Sequence, residues 1–387
     1  MVAMTTLTVM QSIQAGFETF QAQFGRFFKR SETRNRAGDY MRGLLAEVDR
    51  KNGWQLAENM GAADPQGFQR LLYEAKWEHE ALRDQLQIMV VERMGDADGV
   101  GIIDESGYVK KGVKSAGVGR QYCGRIGKVE NCQVGVGLAY LTAAGRALID
   151  QRLYLPKSWC DDPDRCRAAH IPPDTPFQTK PQIAQQMLEA AWQNDMPMKW
   201  VCADTVYGNT SQLREAIAAA GRWYVMGITP NQRVQPLGDA QPQKISQLLP
   251  ALGAQDWQLL GIAWSEDGER VYEWTAVRVT SPTDDVGEQW LLVRRDPDDT
   301  NPVRFFLSNA PADTPLLTLV DVALARHHIE QIFEEAKSHT GMADYEVRHW
   351  HSWHRHMVLV MMAHTWLTLF QPAFDIPKKV HSHAGSS

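Results

Sequence analysis

Two aspartates, each at the end of a short apolar segment, are the first candidates for residues that do chemistry. Asp104 closes the segment GVGIID, and Asp204 closes KWVCAD. Each segment has the length and composition of a buried strand. An aspartate after a strand is often only a turn or helix-capping residue, and that alternative stays open for either residue alone. If the two strands are neighbours, both carboxylates reach one sheet edge, where a third acid would complete a set of oxygen ligands for divalent metal ions.

A helix expected after Pro315 and ending at Gly341 supplies candidates for the third acid. With about 100° of rotation per residue, Arg326, Glu330 and Lys337 fall within roughly 40° of one another on one face. The spacing therefore predicts a helix that presents an Arg–Glu–Lys stripe. Ordinary surface pairing between charges one turn apart gives the same spacing, and it remains the competing interpretation of the stripe alone.

The composition is that of a globular protein with a real core. The chain has 387 residues, of which 44% are hydrophobic and 22% charged, which excludes a disordered tail, a collagen-like repeat and a disulfide miniprotein. Its five cysteines are an odd number and favour a reducing compartment over a disulfide framework. The first residues lack the basic and apolar regions of a signal peptide, and the most apolar run, 357–370, is too short to span a bilayer. We expect a soluble, intracellular protein with no membrane partner.

The overall charge of −6 conceals two locally basic segments. Residues 26–51 hold eight Lys and Arg against four acids, and residues 110–131 hold six against one. A DNA backbone responds to local potential within about 10 Å at ordinary salt, so the net charge does not exclude nucleic acid. A solvated helix face is the competing interpretation of the first segment. The second is rich in glycine but has no phosphate-loop or dinucleotide spacing, and a flexible basic loop along a DNA backbone fits it better. The candidate phosphate contacts are Arg34, Arg36, Lys110, Lys111, Lys114, Arg120, Arg125 and Lys128.

Hydrophobic periodicity predicts a mixed α/β fold. Residues 1–95 place apolar side chains three and four apart, as amphipathic helices do. Three strands of antiparallel type follow, two of them joined in a hairpin by AAGR, and then helix and strand alternate to residue 228. Residues 229–303 begin with several prolines and continue as three further strands. Two groups could in principle bind other metals, but their spacing is a poor match to a zinc site. They are Cys160, Cys166 and His170, and the histidines His349, His351, His354 and His356.

Taken together, IIDESG, ADTVYG and RHHIEQIFEEAK resemble the three acidic motifs of the DDE transposases of bacterial insertion sequences. The spacing R-x3-E-x6-K resembles the group with a β-strand insertion between its second Asp and its Glu. The flanking segments FQTKP, WVCADTVYG and ADYEVRHWHSWHRHMVLVMMAH are similar to the seven-hundred-and-one branch of that group. The similarity runs from about Arg26 to Phe370. One position departs from the signature, because Ala323 stands where the group has a tyrosine.

The resemblance implies a ribonuclease-H-like mixed sheet with a β-rich insertion and an N-terminal helical domain. It also implies a catalytic triad, Asp104, Asp204 and Glu330, that holds two Mg²⁺ ions, for which Mn²⁺ would substitute. Arg326 and Lys337 would contact DNA phosphates beside the scissile bond. The expected domains are a helical DNA-binding domain at 1–95, the catalytic core at 96–228 and 304–345, the β-strand insertion at 229–303, and a C-terminal helix and tail at 346–387.

The function implied is cut-and-paste transposition: metal-dependent cleavage of double-stranded DNA at the element's inverted-repeat ends, followed by strand transfer into target DNA. A homodimer would join two ends in a synaptic complex, in the bacterial cytoplasm and in association with the nucleoid. The alternative is a domesticated or inactive DNA-binding protein that keeps the fold. A third hypothesis, an unrelated ribonuclease-H-like nuclease acting on RNA or repair substrates, is disfavoured by the insertion and by the Arg–Glu–Lys stripe.

Overall fold

The N-terminal region is helical, as its periodicity predicts. The computed structural model describes residues 6–61, 64–251, 256–265, 268–297 and 303–370. The first five helices are α1 Thr6–Ala22, α2 Ser31–Leu45, α3 Gly53–Asn59, α4 Gln66–Tyr73 and α5 His79–Met94. Their apolar faces pack into the same core as the C-terminal helices, through buried side chains such as Phe20, Leu44 and Leu86. This packing attaches the helical region directly to the rest of the fold.

A mixed sheet forms the centre of the molecule. Its first six strands are β1 Gly99–Val109, β2 Gly119–Cys123, β3 Lys128–Thr142, β4 Gly145–Leu153, β5 Met198–Ala203 and β6 Trp223–Ile228. β1 pairs antiparallel with β3 on one side and parallel with β5 on the other, and β5 pairs parallel with β6. The hairpin expected at AAGR joins β3 and β4. The antiparallel strands β1, β3 and β4, followed by the parallel strands β5 and β6, make this the ribonuclease-H-like arrangement that the motifs imply.

The strands of the 229–303 segment continue this sheet. They are β7 Arg233–Pro236, β8 Gln243–Lys244, β9 Gln258–Ser265, β10 Gly268–Thr280 and β11 Glu288–Arg295, and β12 Arg304–Ser308 follows. β12 pairs with β6, β11 with β12, and β10 with β11, all antiparallel. The expected strands are therefore present, and in space they extend the edge of the core sheet beyond β6.

Helices cover both faces of the sheet. The remaining helices are α6 Lys157–Cys160, α7 Pro163–Ala168, α8 Lys180–Gln193, α9 Thr205–Gly208, α10 Ser211–Ala219, α11 Ile245–Leu248, α12 Leu316–Leu324, α13 His327–Thr340 and α14 Trp350–Thr365. One face packs against α8 and α10, and the other against α12, α13 and α14. In the described part of the chain, none of these helices combines the length and the apolarity needed to cross a bilayer.

Three local expectations from the sequence are wrong. β1 does not end at Asp104 but continues to Val109, because the long strand β3 keeps pairing with it as far as Cys132. The basic segment after it is not simply a flexible loop, since residues 119–132 form a β2–β3 hairpin whose turn closes at Gly127 in the left-handed conformation. The helix after Pro315 is two helices, α12 and α13, separated at residues 325–326. Gly341 ends α13 with a positive φ of 64°, as expected of a C-terminal glycine.

α14 is buried along almost its whole length and carries three histidines into the core, of which His354 and His356 have strongly lowered pKa values. Burial lowers the pKa of His354 to about 4 and that of His356 to about 3. His356 Nδ1 lies 2.9 Å from the Tyr40 hydroxyl of α2, so it links the N-terminal helices to the C-terminal one. Both imidazoles are neutral in the folded protein at neutral pH, and they serve packing here.

We expect acid to destabilise the fold through these histidines. In the unfolded chain they take up protons below about pH 6.5, whereas in the folded chain they do so only near pH 4 or below, so stability falls as pH falls between these values. At pH 5 each imidazole should cost about 2 kcal/mol relative to pH 7. Urea unfolding of His356→Gln should show a smaller loss between pH 7 and pH 5 than wild type, whereas the exposed His339→Gln should behave like wild type. Equal pH dependence of all three proteins would contradict this assignment.

Candidate active site

Asp104 and Asp204 lie next to each other at one edge of the sheet. The parallel pairing of β1 with β5 ends at Ile103 and Ala203, and each aspartate is the next residue along its strand. The backbone N–H of Glu105 donates to Asp104 Oδ1 at 2.8 Å. Asp204 caps α9, because the Val206 N–H donates to its carboxylate at 2.8 Å. The predicted meeting of the two carboxylates is present, at the end of the parallel register and not at the end of β1.

Two glycines allow helices to approach this edge closely. Gly137 lies opposite Asp104 in the β1–β3 register, and a Cβ there would come within 2.7 Å of the Phe333 ring. Phe333 is one turn after Glu330 on α13. The absence of a side chain at Gly137 therefore allows α13 to pack closely beside β1, the strand that carries Asp104. A Cβ on Gly208, in the motif ADTVYG, would meet the carbonyl of Gly227 on β6. Both close approaches fix the elements that carry the acids.

Arg326 joins Asp104 to Glu330. Its Nη1 donates to Asp104 Oδ2 at 2.6 Å, and its Nη2 lies 2.5 Å from Glu330 Oε1. Arg326 is the N-cap residue of α13 with helical dihedral angles, so the four-residue spacing to Glu330 survives the break between α12 and α13. The Asp104 side chain is only 13% exposed, whereas Glu330 is 45% exposed. The guanidinium therefore lies between the acid expected to be central and the acid expected to be third.

The surroundings of the two aspartates raise their pKa values and so disfavour the ionised carboxylates. The pKa of Asp104 is raised to about 7, mainly by burial and also by the neighbouring Asp204, against the opposing effect of Arg326. The pKa of Asp204 is raised as well, first by burial and then by Glu105. Two partly buried acids whose ionised forms repel each other are stabilised by a cation, and their oxygen atoms are the ligands that Mg²⁺ and Mn²⁺ favour.

The aspartate pair therefore fits a divalent metal ion. Glu330 could join it as a ligand only after the Arg326 side chain has moved. Among the described residues, no group of three His, Cys, Asp or Glu side chains is arranged to hold a metal ion. At the edge that carries Asp104 and Asp204, such a group does not form because the Arg326 guanidinium is paired with both Asp104 and Glu330. Moving this side chain away would release one oxygen of each acid. The described residues likewise form no zinc site at Cys160, Cys166 and His170, or at the histidines between 349 and 356.

Glu105 faces the other side of the sheet, as the alternation of a strand predicts. Lys180, at the start of α8, lies 2.6 Å from Glu105 Oε1, and the Tyr207 hydroxyl donates to Oε2 at 2.8 Å. Lys180 and Tyr207 are not among the site residues predicted from the sequence. Their motifs, FQTKP and ADTVYG, were the signal that could have found them. Their contacts fix the backbone beside Asp104 and Asp204.

The predicted phosphate contacts differ in exposure. Lys111 and Lys114 are exposed in the segment before the β2–β3 hairpin, and Arg120 and Lys128 are exposed in the hairpin itself. Lys110 is half-buried, because its amine donates to the Tyr345 carbonyl at 3.0 Å and lies 3.5 Å from the centre of that ring. Burial lowers its pKa to about 8. The side chain of Arg125 lies outside the described part of the structure.

The remaining basic candidates lie on α2 and α13. Arg34 is exposed, and Arg36 lies over Gly67 and 3.7 Å from Glu32. Lys337 is on α13, with its amine 6.0 Å from the centre of the Tyr108 ring. The structure thus places Arg326 within contact distance of the acids, Lys337 further along the same helix, and Arg34 and Arg36 in the N-terminal helices.

Two arginines that the sequence analysis missed lie in a cleft beside Asp204. The cleft has a volume of about 450 Å³ and is lined by Asp204, Arg294, Arg304, Arg326 and Ala323, the last at the position of the signature tyrosine. Arg294 and Arg304 are directly opposite each other on β11 and β12. No periodicity in the sequence could have paired them, because the pairing depends on the register between two separate strands. The site thus has an acidic edge and a basic cleft next to it.

A ribonuclease-H-like sheet with a pair of carboxylates at the edge of its central strands defines a nuclease-type core. The sequence profile of the DDE superfamily endonucleases matches residues 20–255, which is more than half of the chain. The chain therefore belongs to the DDE superfamily endonucleases. It is also similar to a protein from Microchaete diplosiphon named "Probable transposase for insertion sequence element IS701", with 24% identity over 270 residues.

That match covers 67% of this chain and 66% of the relative. The resemblance to insertion-sequence DDE transposases that the motifs indicated is confirmed at this level. The family match includes Asp104 and Asp204 and ends before α13. The choice of Glu330 as the third acid therefore depends on the geometry of α13 and on the motif spacing.

Proposed function

We propose that this protein is a cut-and-paste transposase, a Mg²⁺-dependent endonuclease and strand transferase that acts at the inverted-repeat ends of its element. The observation that carries the proposal is the pair of partly buried, mutually repelling carboxylates, Asp104 and Asp204, at one edge of the sheet. The similarity to a transposase-like relative supports the same class of substrate. The exposed basic side chains of the segment that follows β1 favour DNA as the polymer that is cut.

Asp104 would hold both metal ions, while Asp204 and Glu330 would each hold one. Two bound divalent ions supply an activated water and a stabilised leaving oxygen for phosphodiester cleavage. Arg326 has to leave Asp104 and Glu330 when these acids take up their role, and the phosphate beside the scissile bond is the anion to which it would turn. After the first cut, the freed 3′-hydroxyl would replace water as the nucleophile, which turns hydrolysis into strand transfer.

The N-terminal helices would bind the element ends, and two protomers would bring two ends together. Arg34 and Arg36 on α2 supply positive charge there, and a cleft lined by Lys29, Arg30 and Arg70 adds more. Joining two ends in one reaction requires two active sites, so a homodimer on DNA is the assembly we expect.

The test is cleavage of a duplex carrying the terminal sequence of the element that encodes the chain. We expect metal-dependent nicking at the end of the inverted repeat with Mg²⁺ or Mn²⁺, and none with EDTA. Tight binding to this duplex with no cleavage in either metal would favour the alternative, a DNA-binding protein that has lost its activity. Neither binding nor cleavage would overturn the proposal.

Salt dependence tests the basic hairpin segment. Lys111→Ala with Lys114→Ala removes two exposed amines, and if both neutralise phosphates the slope of log affinity against log salt should become less negative by about 1.8. We choose Lys111 and Lys114 because Lys110 is packed against Tyr345, and its replacement would also disturb the fold. The matched control is Lys199→Ala, a lysine paired with Asp98 at the other end of β1 and β5. An unchanged slope in the double variant would show that this segment faces solvent.

A further inference from the structure

β11 and β12 place two arginines side by side on one face of the sheet. Arg294 and Arg304 are direct cross-strand partners in the antiparallel register. Like charges directly opposite each other destabilise a sheet, where opposite charges or apolar pairs are the favourable choices. This arrangement is therefore one that the fold alone does not explain.

The surroundings of Arg294 add to the crowding of positive charge. Burial lowers the pKa of its guanidinium and Tyr272 opposes this, while Arg304 and Arg326 each lower the pKa further against a smaller opposing effect of Asp296. Its guanidinium carbon lies 4.3 Å from the centre of the Tyr272 ring, so the aromatic face holds the side chain in place. Three cationic side chains thus converge on one cleft, and the one farthest from the acids is held by an aromatic ring.

The cleft opens directly beside the acidic edge. Asp204 lines it together with Arg294, Arg304 and Arg326, and Phe306 is part of its apolar wall. A duplex whose scissile phosphate lies at Asp104 and Asp204 would pass over this cleft, because successive phosphates along one strand are only a few ångströms apart. Guanidinium groups match the geometry of phosphate oxygens and bind them through paired hydrogen bonds.

We propose that Arg294 and Arg304 form a phosphate-binding site for the DNA strand that carries the scissile bond, and that a bound phosphate offsets the repulsion between the two guanidinium groups. The inference rests on the proposed function and extends it to residues of the inserted strands. The phosphodiester belongs either to the element end or to the flanking DNA, and the two sources are separated by the test.

The experiment compares Arg304→Gln and Arg294→Gln with Arg295→Gln. Arg295 is the next residue on β11 and pairs with Glu273 at 2.6 Å, so it is matched in position and type but has a partner of its own. Each protein is measured for thermal stability without DNA, and for DNA affinity across a salt series. One duplex ends at the cleavage point, and the other carries flanking DNA beyond it.

We expect Arg304→Gln to keep or raise the melting temperature, since it removes a repulsion, while DNA affinity falls roughly tenfold and the salt slope becomes less negative by about 0.9. Arg294→Gln should weaken DNA binding in the same way. Arg295→Gln should lower the melting temperature and leave the salt slope unchanged. A loss confined to the flanked duplex assigns the phosphate to flanking DNA, and a loss with both duplexes assigns it to the element end.

A second probe separates failure of this inference from failure of the proposed function. Pyrophosphate should raise the melting temperature of the wild-type protein, and less so that of Arg304→Gln. If the protein binds neither duplex but keeps this difference, the proposed function fails and the anion site stands. If wild type binds DNA and Arg304→Gln lowers stability with an unchanged slope, the arginine pair is structural and the inference is wrong.

Discussion

Asp104→Asn and Asp204→Asn are each expected to abolish DNA nicking while leaving binding to the element end nearly unchanged. The substitutions keep the size of the side chain and remove the charge that holds a divalent ion, and neither carboxylate is placed to attract DNA. We expect a loss of cleavage of at least roughly 1,000-fold, equivalent to about 4 kcal/mol of transition-state stabilisation. Single-turnover nicking with Mg²⁺ and Mn²⁺ measures the first effect, and a binding titration without metal measures the second.

Asp98→Asn is the matched control for these variants. It lies close to the start of β1, is 73% exposed, and pairs with Lys199, so it removes the same charge at the far end of the strand. Thermal unfolding of Asp104→Asn tests whether a loss of cleavage comes only from a less stable fold, because this substitution removes the charged partner of Arg326. Near-normal cleavage by either site variant, with the fold intact, would overturn the assignment of the triad.

The parts of the fold that follow from local periodicity were predictable. The strand pattern of 131–153 specified the β3–β4 hairpin, and the three- and four-residue spacings specified the N-terminal helices. The hairpin and these helices depend on side chains that are close in sequence. The meeting of Asp104 and Asp204 joins two distant strands, and it was expected from their matching positions in two apolar segments and from the motif resemblance.

The parts that were not predictable depend on pairing between distant segments. The continuation of β1 beyond Asp104 is caused by β3, which keeps pairing with it for five more residues. Residues 325–326 look helical in sequence, and only packing reveals the division into α12 and α13. The juxtaposition of Arg294 and Arg304 requires the β11–β12 register, which no spacing in the sequence specifies. A site formed by residues of two elements that are distant in sequence could be identified only from the structure.

The choice of the third acid on α13 remains a prediction, and the contacts in the structure reduce the number of candidate glutamates. The helix carries three glutamates within six residues, at 330, 334 and 335. Glu335 is engaged elsewhere, 2.6 Å from Arg146 and 3.4 Å from His364. Glu334 is exposed, whereas Glu330 shares Arg326 with Asp104. The contacts thus agree with the motif spacing in favouring Glu330.

We therefore expect Glu330→Ala to eliminate metal-dependent cleavage, and Glu334→Ala only to weaken it. Glu330→Gln separates two roles, because its amide oxygen still accepts a hydrogen bond from Arg326 but its charge is gone. If Glu330 holds a metal ion, Glu330→Gln is as inactive as Glu330→Ala; if it only orients Arg326, Glu330→Gln keeps most of the activity. The measurement is single-turnover nicking across a Mn²⁺ titration, with Mn²⁺ binding to the protein alone as a second readout. An inactive Glu334→Ala beside an active Glu330→Ala would show that the register is wrong by one turn, and the roles given to Arg326 and Lys337 would be wrong with it.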